Sequence, residues 1–143
     1  KKLPQNYKLI LLGNGQLYQK LKDTVDNEQI SNRVIFVGNV NNVSDYLNAA
    51  DIFVLPSLFE GLPITLLEAV SSGIYTVVSN NVTHEIDGFE NLKYLNLNLE
   101  DWIEVILTSR FDKNRKKYVK IMKNSKFDIS NFIKELERKY DSE

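Results

Sequence analysis

The chain has 143 residues, about one domain's worth, and at 43% hydrophobic and 26% charged it carries enough apolar material for one core. A net charge of −1 gives no whole-molecule field favouring nucleic acid or an acidic membrane surface. With no cysteine and a single histidine, His84, disulfide and thiol chemistry are excluded and no metal site is expected.

In chain order, the first run is Leu9-Ile10-Leu11-Leu12, a strand stopped by Gly13. Leu17, Leu21 and Val25 recur every four residues and share one helix face. Val34-Ile35-Phe36-Val37 is a second strand, ending at Gly38. Val43, Leu47 and Ala50 mark a helix with Asn42 as its cap. Ile52 to Leu55 is a third strand, stopped by Pro56-Ser57. Pro63 suits a first helical position, where its missing N–H costs nothing; Ile64, Leu67 and Val70 then form a stripe that Gly73 ends. Thr76-Val77-Val78 reads as a strand running into Ser79-Asn80, and Leu92 to Leu97 as a weaker one. Asn98 and Asp101 resemble a capping box ahead of Trp102, Ile103, Ile106 and Leu107. Tyr118, Ile121 and Met122 predict a further helix, and Ser130 precedes a terminal amphipathic one carrying Phe132, Ile133, Leu136 and Tyr140.

Unbroken apolar runs, rather than alternating ones, suit strands buried on both faces of a parallel sheet. Strand and helix alternate over about residues 7–110, the pattern of an α/β, Rossmann-like doubly wound parallel sheet, and residues 111–143 add C-terminal helices to what reads as one domain, 1–143. No apolar run approaches the roughly 18 residues a membrane span needs, and no signal peptide is visible. A cytoplasmic location is therefore expected, with contact at the inner face of the membrane left open. The first residue is Lys1 and not Met, as expected of a piece of something larger, a processed product or a recombinant piece.

In open α/β sheets, ligands bind beyond the carboxyl ends of the strands. That rule selects Gly13-Asn14-Gly15, Gly38-Asn39-Val40, Ser57 to Pro63 and Ser79 to Glu85. The third place is the most informative. Glu60 lies in a strand-to-helix loop, and Glu68 lies inside the following helix, about five residues or roughly 7–8 Å past its start. Between Leu67 and Val70, the Glu68 carboxylate is expected to be partly buried and in need of a partner. The first-turn amides at Ile64 and Thr65 point back to the loop and form an anion site suited to phosphate, while Gly61 lets the backbone approach a ligand closely. One carboxylate for sugar hydroxyls, free amides for phosphates and a second carboxylate for a ribose are thus available within one segment.

The run Pro56-Ser57-Leu58-Phe59-Glu60-Gly61-Leu62-Pro63-Ile64-Thr65-Leu66-Leu67-Glu68-Ala69, with two glutamates separated by seven residues, resembles the signature of glycosyltransferase family 4, retaining enzymes of the two-domain GT-B fold. Leu11 to Gly15, Val34 to Gly38, Tyr46 to Ser57 and Ser79 to Asp87 resemble other segments of that family in order and spacing, so the likeness covers roughly residues 7 to 110. The resemblance implies the C-terminal, donor-binding half of a GT-B fold, with the N-terminal acceptor domain absent. It implies a nucleotide diphosphate sugar as donor, and transfer of a hexose or N-acetylhexosamine to a glycan or lipid-linked acceptor, in bacterial surface polysaccharide synthesis. Glu60 would be the catalytic residue, contacting the donor hexose. Glu68 would accept from the ribose hydroxyls. Gly61, Leu62, Pro63 and Ile64 would face the sugar and diphosphate, Gly13 and Asn14 would lie near the diphosphate, and Gly38, Asn39 and Val40 would border the base. The leaving diphosphate would be stabilised by amides and cations and no metal, and no cofactor is implied.

The chain also departs from that pattern. Gly61-Leu62-Pro63 stands where many members have Gly-Phe-Gly, leaving fewer free amides, and Asn80 replaces an Asp after Ser79. The family's strand and loop before Leu9, with an Arg and a Lys that grip the diphosphate, have no counterpart, because Lys1 and Lys2 sit too close to the next strand. That strand would be central. The strands at Leu9 and Ile52 are therefore expected either to pair directly or to leave a gap that another copy fills, with self-association as the consequence. Alone, the chain is expected to be inactive.

Blander readings stand beside these. A loop carboxylate such as Glu60 is usually only solvated, Glu68 is a helix-surface charge, and strand-ending glycines are mostly turn chemistry. His84, readable as a general base, is more often incidental; Glu85 contacts its own segment's backbone or nothing. Trp102, Phe132 and Tyr140 are packing residues, and Lys113, Arg115, Lys116, Lys117 and Lys120 are one solvated helix face. The rival functions are a non-catalytic nucleotide-binding module and a sugar-nucleotide epimerase or phosphorylase of related fold, although the acid–base cluster or cofactor lysine of those enzymes is not evident.

Overall fold

The computed structural model describes residues 1–109, 111 and 114–141. Five strands, β1 (Leu9–Leu12), β2 (Val34–Gly38), β3 (Ile52–Leu55), β4 (Tyr75–Ser79) and β5 (Leu92–Leu95), alternate with helices α1 (Tyr18–Asn27), α2 (Val43–Ala49) and α3 (Ile64–Ser72). Helices α4 (Leu99–Thr108), α5 (Lys116–Lys123) and α6 (Ile129–Tyr140) follow, and a short 3-10 turn, Ser31–Arg33, leads into β2. All strand pairs are parallel, as expected from the sequence.

The sheet is interrupted. β1 pairs with β2, and β3-β4-β5 form a separate group; β1 and β3 share no ladder. Of the two expected outcomes, direct pairing is not formed and the gap is. The slot between them has a volume of about 1080 Å³ and is lined by both strand edges, by Val43, Tyr46 and Leu47 of α2, and by Ile106 and Phe111. Packing follows the interruption. The buried core lies around α3 and β4: Leu66 and Val70 pack with Val78, Val82 and Ile86; Leu47, Ala69 and Ile74 form a second cluster; Val77, Trp102 and Val105 form a third. No residue before Leu47 is buried, and Leu9, Ile10, Leu12 and Ile35 are exposed. The expectation that β1 and β2 are buried on both faces is therefore corrected, because one flank of β1 opens on the slot.

Gly73 ends α3 in the left-handed region at φ 75°, as expected. A Cβ there would also lie 2.8 Å from both Cβ and the carbonyl oxygen of Arg115, so glycine is required for backbone conformation and for close approach. Arg115 is not part of a solvated face. Its guanidinium donates to the carbonyls of Leu47 (2.9 Å), Asn48 (3.2 Å) and Ala50 (2.5 Å), capping the C-terminus of α2 where free carbonyls and the helix dipole favour a cation. Lys117 pairs with Glu90 at 3.1 Å, and Lys113 lies outside the described residues. Asn42 occupies the cap of α2, but its side chain donates to Asp45 instead of accepting from the helix. Asn98 caps α4 by accepting from the Glu100 amide at 3.0 Å, with no reciprocal bond from Asp101. α6 is capped by Asp128, two residues ahead of Ser130, whose amide donates to it.

Candidate donor-binding site

Three loops leave the carboxyl ends of β1, β2 and β3. Gly13 (φ 100°) and Gly38 (φ 79°) both turn through conformations that side chains resist, and the Gly13 amide donates to the Gly38 carbonyl at 2.7 Å. The Asn14 side chain packs against Gly38, where a Cβ would meet its Oδ1 at 3.5 Å. The structure therefore brings Gly13, Asn14 and Gly38 together. Gly13, Asn39 and Val40 line the slot, together with Leu55 at the end of β3 and Thr65 in the first turn of α3. A smaller hollow of about 220 Å³ is lined by the Gly13–Gly15 turn with Leu17, Tyr18, Leu21 and Phe36.

The start of α3 differs from expectation by one residue. Pro63 is the extended cap residue (φ −69°, ψ 129°) and Ile64 is the first helical position. Pro63 supplies its carbonyl to Leu66 and Leu67. The amides of Ile64 and Thr65 have no carbonyl partner among the described residues, as the first-turn donors of a helix ordinarily do not. Gly61, Leu62 and Ile64 are exposed around this helix start, and Pro63 is half-buried.

Glu60 is half-buried beyond β3. Its Oε1 accepts from the Ser57 hydroxyl at 3.2 Å, and its backbone forms a parallel bridge with Val82, in the segment after β4. Glu68 is exposed, contrary to the expectation of partial burial. The helical phase explains this: α3 buries Leu66, Ala69 and Val70, and at 100° per residue Glu68 falls on the opposite face, beside Ile64 one turn earlier. The stripe Ile64, Leu67, Val70 was misphased because almost every residue from Leu62 to Val70 is apolar. Glu60 and Glu68 line neither cavity. Lys1 and Lys2 pair with Glu28 and Glu100 respectively.

Around Val82 lies a cluster of which the sequence reading had singled out His84 but missed Tyr94. The Tyr94 phenol, on β5, donates to the Thr83 carbonyl at 2.9 Å. The His84 ring stacks on Tyr94 with centroids 4.0 Å apart, and its Nδ1 lies 3.2 Å from Asp87. Burial, and then the charge of Asp87, pushes the Tyr94 phenol from its ordinary value near 10 up to about 12, so it remains a donor near neutrality. The Glu85 side chain is exposed, and its amide contacts Thr83 Oγ1 at 3.3 Å. Among the described residues no group of three or more His, Asp or Glu could hold a metal, and no helix is long and apolar enough to cross a membrane.

The family model described as "Glycosyl transferases group 1" matches residues 1–91, more than half of the chain. The chain belongs to that family. The capsular polysaccharide biosynthesis glycosyltransferase CapH of Staphylococcus aureus is 32% identical over 144 residues, covering 98% of this chain and 40% of that protein. An Escherichia coli UDP-Gal:alpha-D-GlcNAc-diphosphoundecaprenol alpha-1,3-galactosyltransferase is 38% identical over 87 residues, covering 56% of this chain and 22% of that protein. The solved apo form of the lipopolysaccharide outer core galactosyltransferase WaaB superposes with a TM-score of 0.77 at 20% identity, over 96% of this chain and 42% of that one. This similarity establishes the α/β, GT-B-type fold of this group 1 domain. The chain spans less than half the length of each of these proteins.

Proposed function

We propose that this group 1 domain is the donor-binding, C-terminal half of a retaining GT-B glycosyltransferase of family 4. The protein carrying it moves a hexose or N-acetylhexosamine from a nucleotide diphosphate sugar to a glycan or lipid-linked acceptor. The observation that carries the reading is the open N-terminus of α3, whose unpaired Ile64 and Thr65 amides follow Glu60, with Thr65 lining the slot together with Gly13, Asn39 and Val40. Free amides at a helix start stabilise the growing negative charge of a departing diphosphate. Glu60, held by Ser57, would accept from the hexose, and exposed Glu68 is free to accept from a ribose.

CapH is named for capsular polysaccharide biosynthesis and the E. coli protein for galactosyl transfer to a diphosphoundecaprenol-linked sugar, which supports a role in surface polysaccharide synthesis; a cytoplasmic location is part of the proposal. The slot is the place for one further strand, and a separate acceptor-binding domain would close over the loops; without them residues 1–143 are inactive, and the open edges of β1 and β3 favour self-association. The test is a transfer assay on the full-length protein with UDP-, GDP- and ADP-sugars and a diphosphoundecaprenol-linked acceptor. Turnover with one donor, lowered roughly a hundredfold by Glu60→Ala, is expected. Nucleotide binding without turnover would overturn the proposal in favour of a non-catalytic module.

A further inference from the structure

We infer that Tyr94 is a positioning residue for Glu60, acting through the Thr83–Val82 backbone, with His84 as the cover that keeps its ring in place. The inference rests on the proposed role of Glu60. Glu60 lies past the end of β3, where the regular ladder has stopped, and its cross-strand anchor is the bridge to Val82. Val82 is buried among Leu66, Val70, Val78 and Ile86, and its amide donates to the Ser79 carbonyl at 3.0 Å. The next carbonyl along, that of Thr83, is gripped by the Tyr94 phenol. Tyr94 is itself fixed in β5 opposite Val78. A rigid relay thus runs from the far strand of the sheet to the catalytic loop: phenol, carbonyl, peptide, bridge, Glu60. On the outer side, His84 lies nearly parallel to the Tyr94 ring at 18°, and Asp87 holds its Nδ1, so the segment folds back over the ring and closes the relay. Sub-ångström displacement of a group that orients a reacting sugar lowers rate far more than stability, because the productive geometry is narrow.

The test uses the full-length protein and whichever of UDP-galactose, UDP-glucose, UDP-N-acetylglucosamine and GDP-mannose it turns over fastest. Tyr94→Phe removes one oxygen and keeps the ring. A fall in kcat of roughly 3- to 10-fold is expected, the kinetic equivalent of one neutral hydrogen bond, with the donor KM changed less than about twofold. The loss should disappear in a Glu60→Gln background, because the relay then ends on a group that no longer acts. His84→Ala should give a smaller loss in the same direction, and His84→Phe, which restores the stack without an imidazole, should recover it. By calorimetry, Tyr94→Phe should bind the chosen sugar donor and its sugar-free nucleoside diphosphate within about twofold of wild type. Kinetics of Tyr94→Phe within twofold of wild type, or an undiminished loss in the Glu60→Gln background, would overturn the inference while leaving the proposed function standing. Full activity of Glu60→Gln itself would sink both. If Tyr94→Phe fails to fold, the His84→Ala and His84→Phe pair decides alone, and equal activity in those two variants and wild type refutes the relay.

Discussion

Replacing Arg115 with alanine should destabilise the domain well beyond an ordinary surface substitution. The guanidinium makes three hydrogen bonds to carbonyls at the end of α2, at 2.5 to 3.2 Å, and its backbone sits against Gly73 at the end of α3. At a net value of about 1 kcal/mol per bond the loss is about 3 kcal/mol, reduced toward about 2 because the half-buried site lets water reach the freed carbonyls. For a domain of this length that corresponds to a fall in Tm of about 6–15 °C. Urea unfolding of the chain, followed by circular dichroism at constant pH and salt, reads it directly. Arg115→Lys should recover less than half, since a point charge on a flexible stem cannot reproduce the three-way fork. A stability within about 0.5 kcal/mol of wild type for Arg115→Ala would refute the reasoning and return Arg115 to the solvated face that its neighbours Lys116 and Lys120 occupy.

Other outcomes follow from the same coordinates. Gly73→Ala should cost about 2 kcal/mol or more, from a left-handed backbone and from the clash with Arg115, measurable in the same urea titration. Native-state hydrogen exchange should find the amides of β1 and β2 about an order of magnitude less protected than those of β3 and β4, because no residue before Leu47 is buried. The raised Tyr94 pKa sets a direction in pH. The folded state holds the phenol proton more tightly than the unfolded chain, so its contribution is complete below pH 10 and is lost as pH rises from 10 through about 12. Urea midpoints of wild type should therefore converge on those of Tyr94→Phe across that window; parallel curves would contradict the burial of the phenol.

β1 to β4 were legible in outline because each is an apolar run cut by a glycine, proline or serine, and that punctuation survives any tertiary context; β5, which carries Lys93 and meets Asn96, was fainter. Gly73 was legible for the same reason: a helix stop that needs positive φ. The ordered segments around Glu60 resemble a glycosyltransferase signature, and the group 1 family match bears out the glycosyltransferase part of that reading. What failed to show were facts that depend on remote neighbours. The exposure of β1 and β2 depends on the slot beside them, and so was invisible in apolar strings that look buried. The phase of α3 was ambiguous because Leu62 to Val70 is apolar almost throughout, so Glu68 was placed toward the core when it faces solvent. Arg115 contacts carbonyls 65 to 68 positions away, and Tyr94 meets Thr83 across a loop, and neither pairing leaves a local signature.

The most direct test of the account is a structure of the full-length protein with an unhydrolysable nucleotide diphosphate sugar. The diphosphate should lie on the amides of Ile64 and Thr65, a hexose hydroxyl on the Glu60 carboxylate and a ribose hydroxyl on Glu68. A diphosphate bound away from the start of α3, with Glu60 and Glu68 both turned from the sugar, would contradict it.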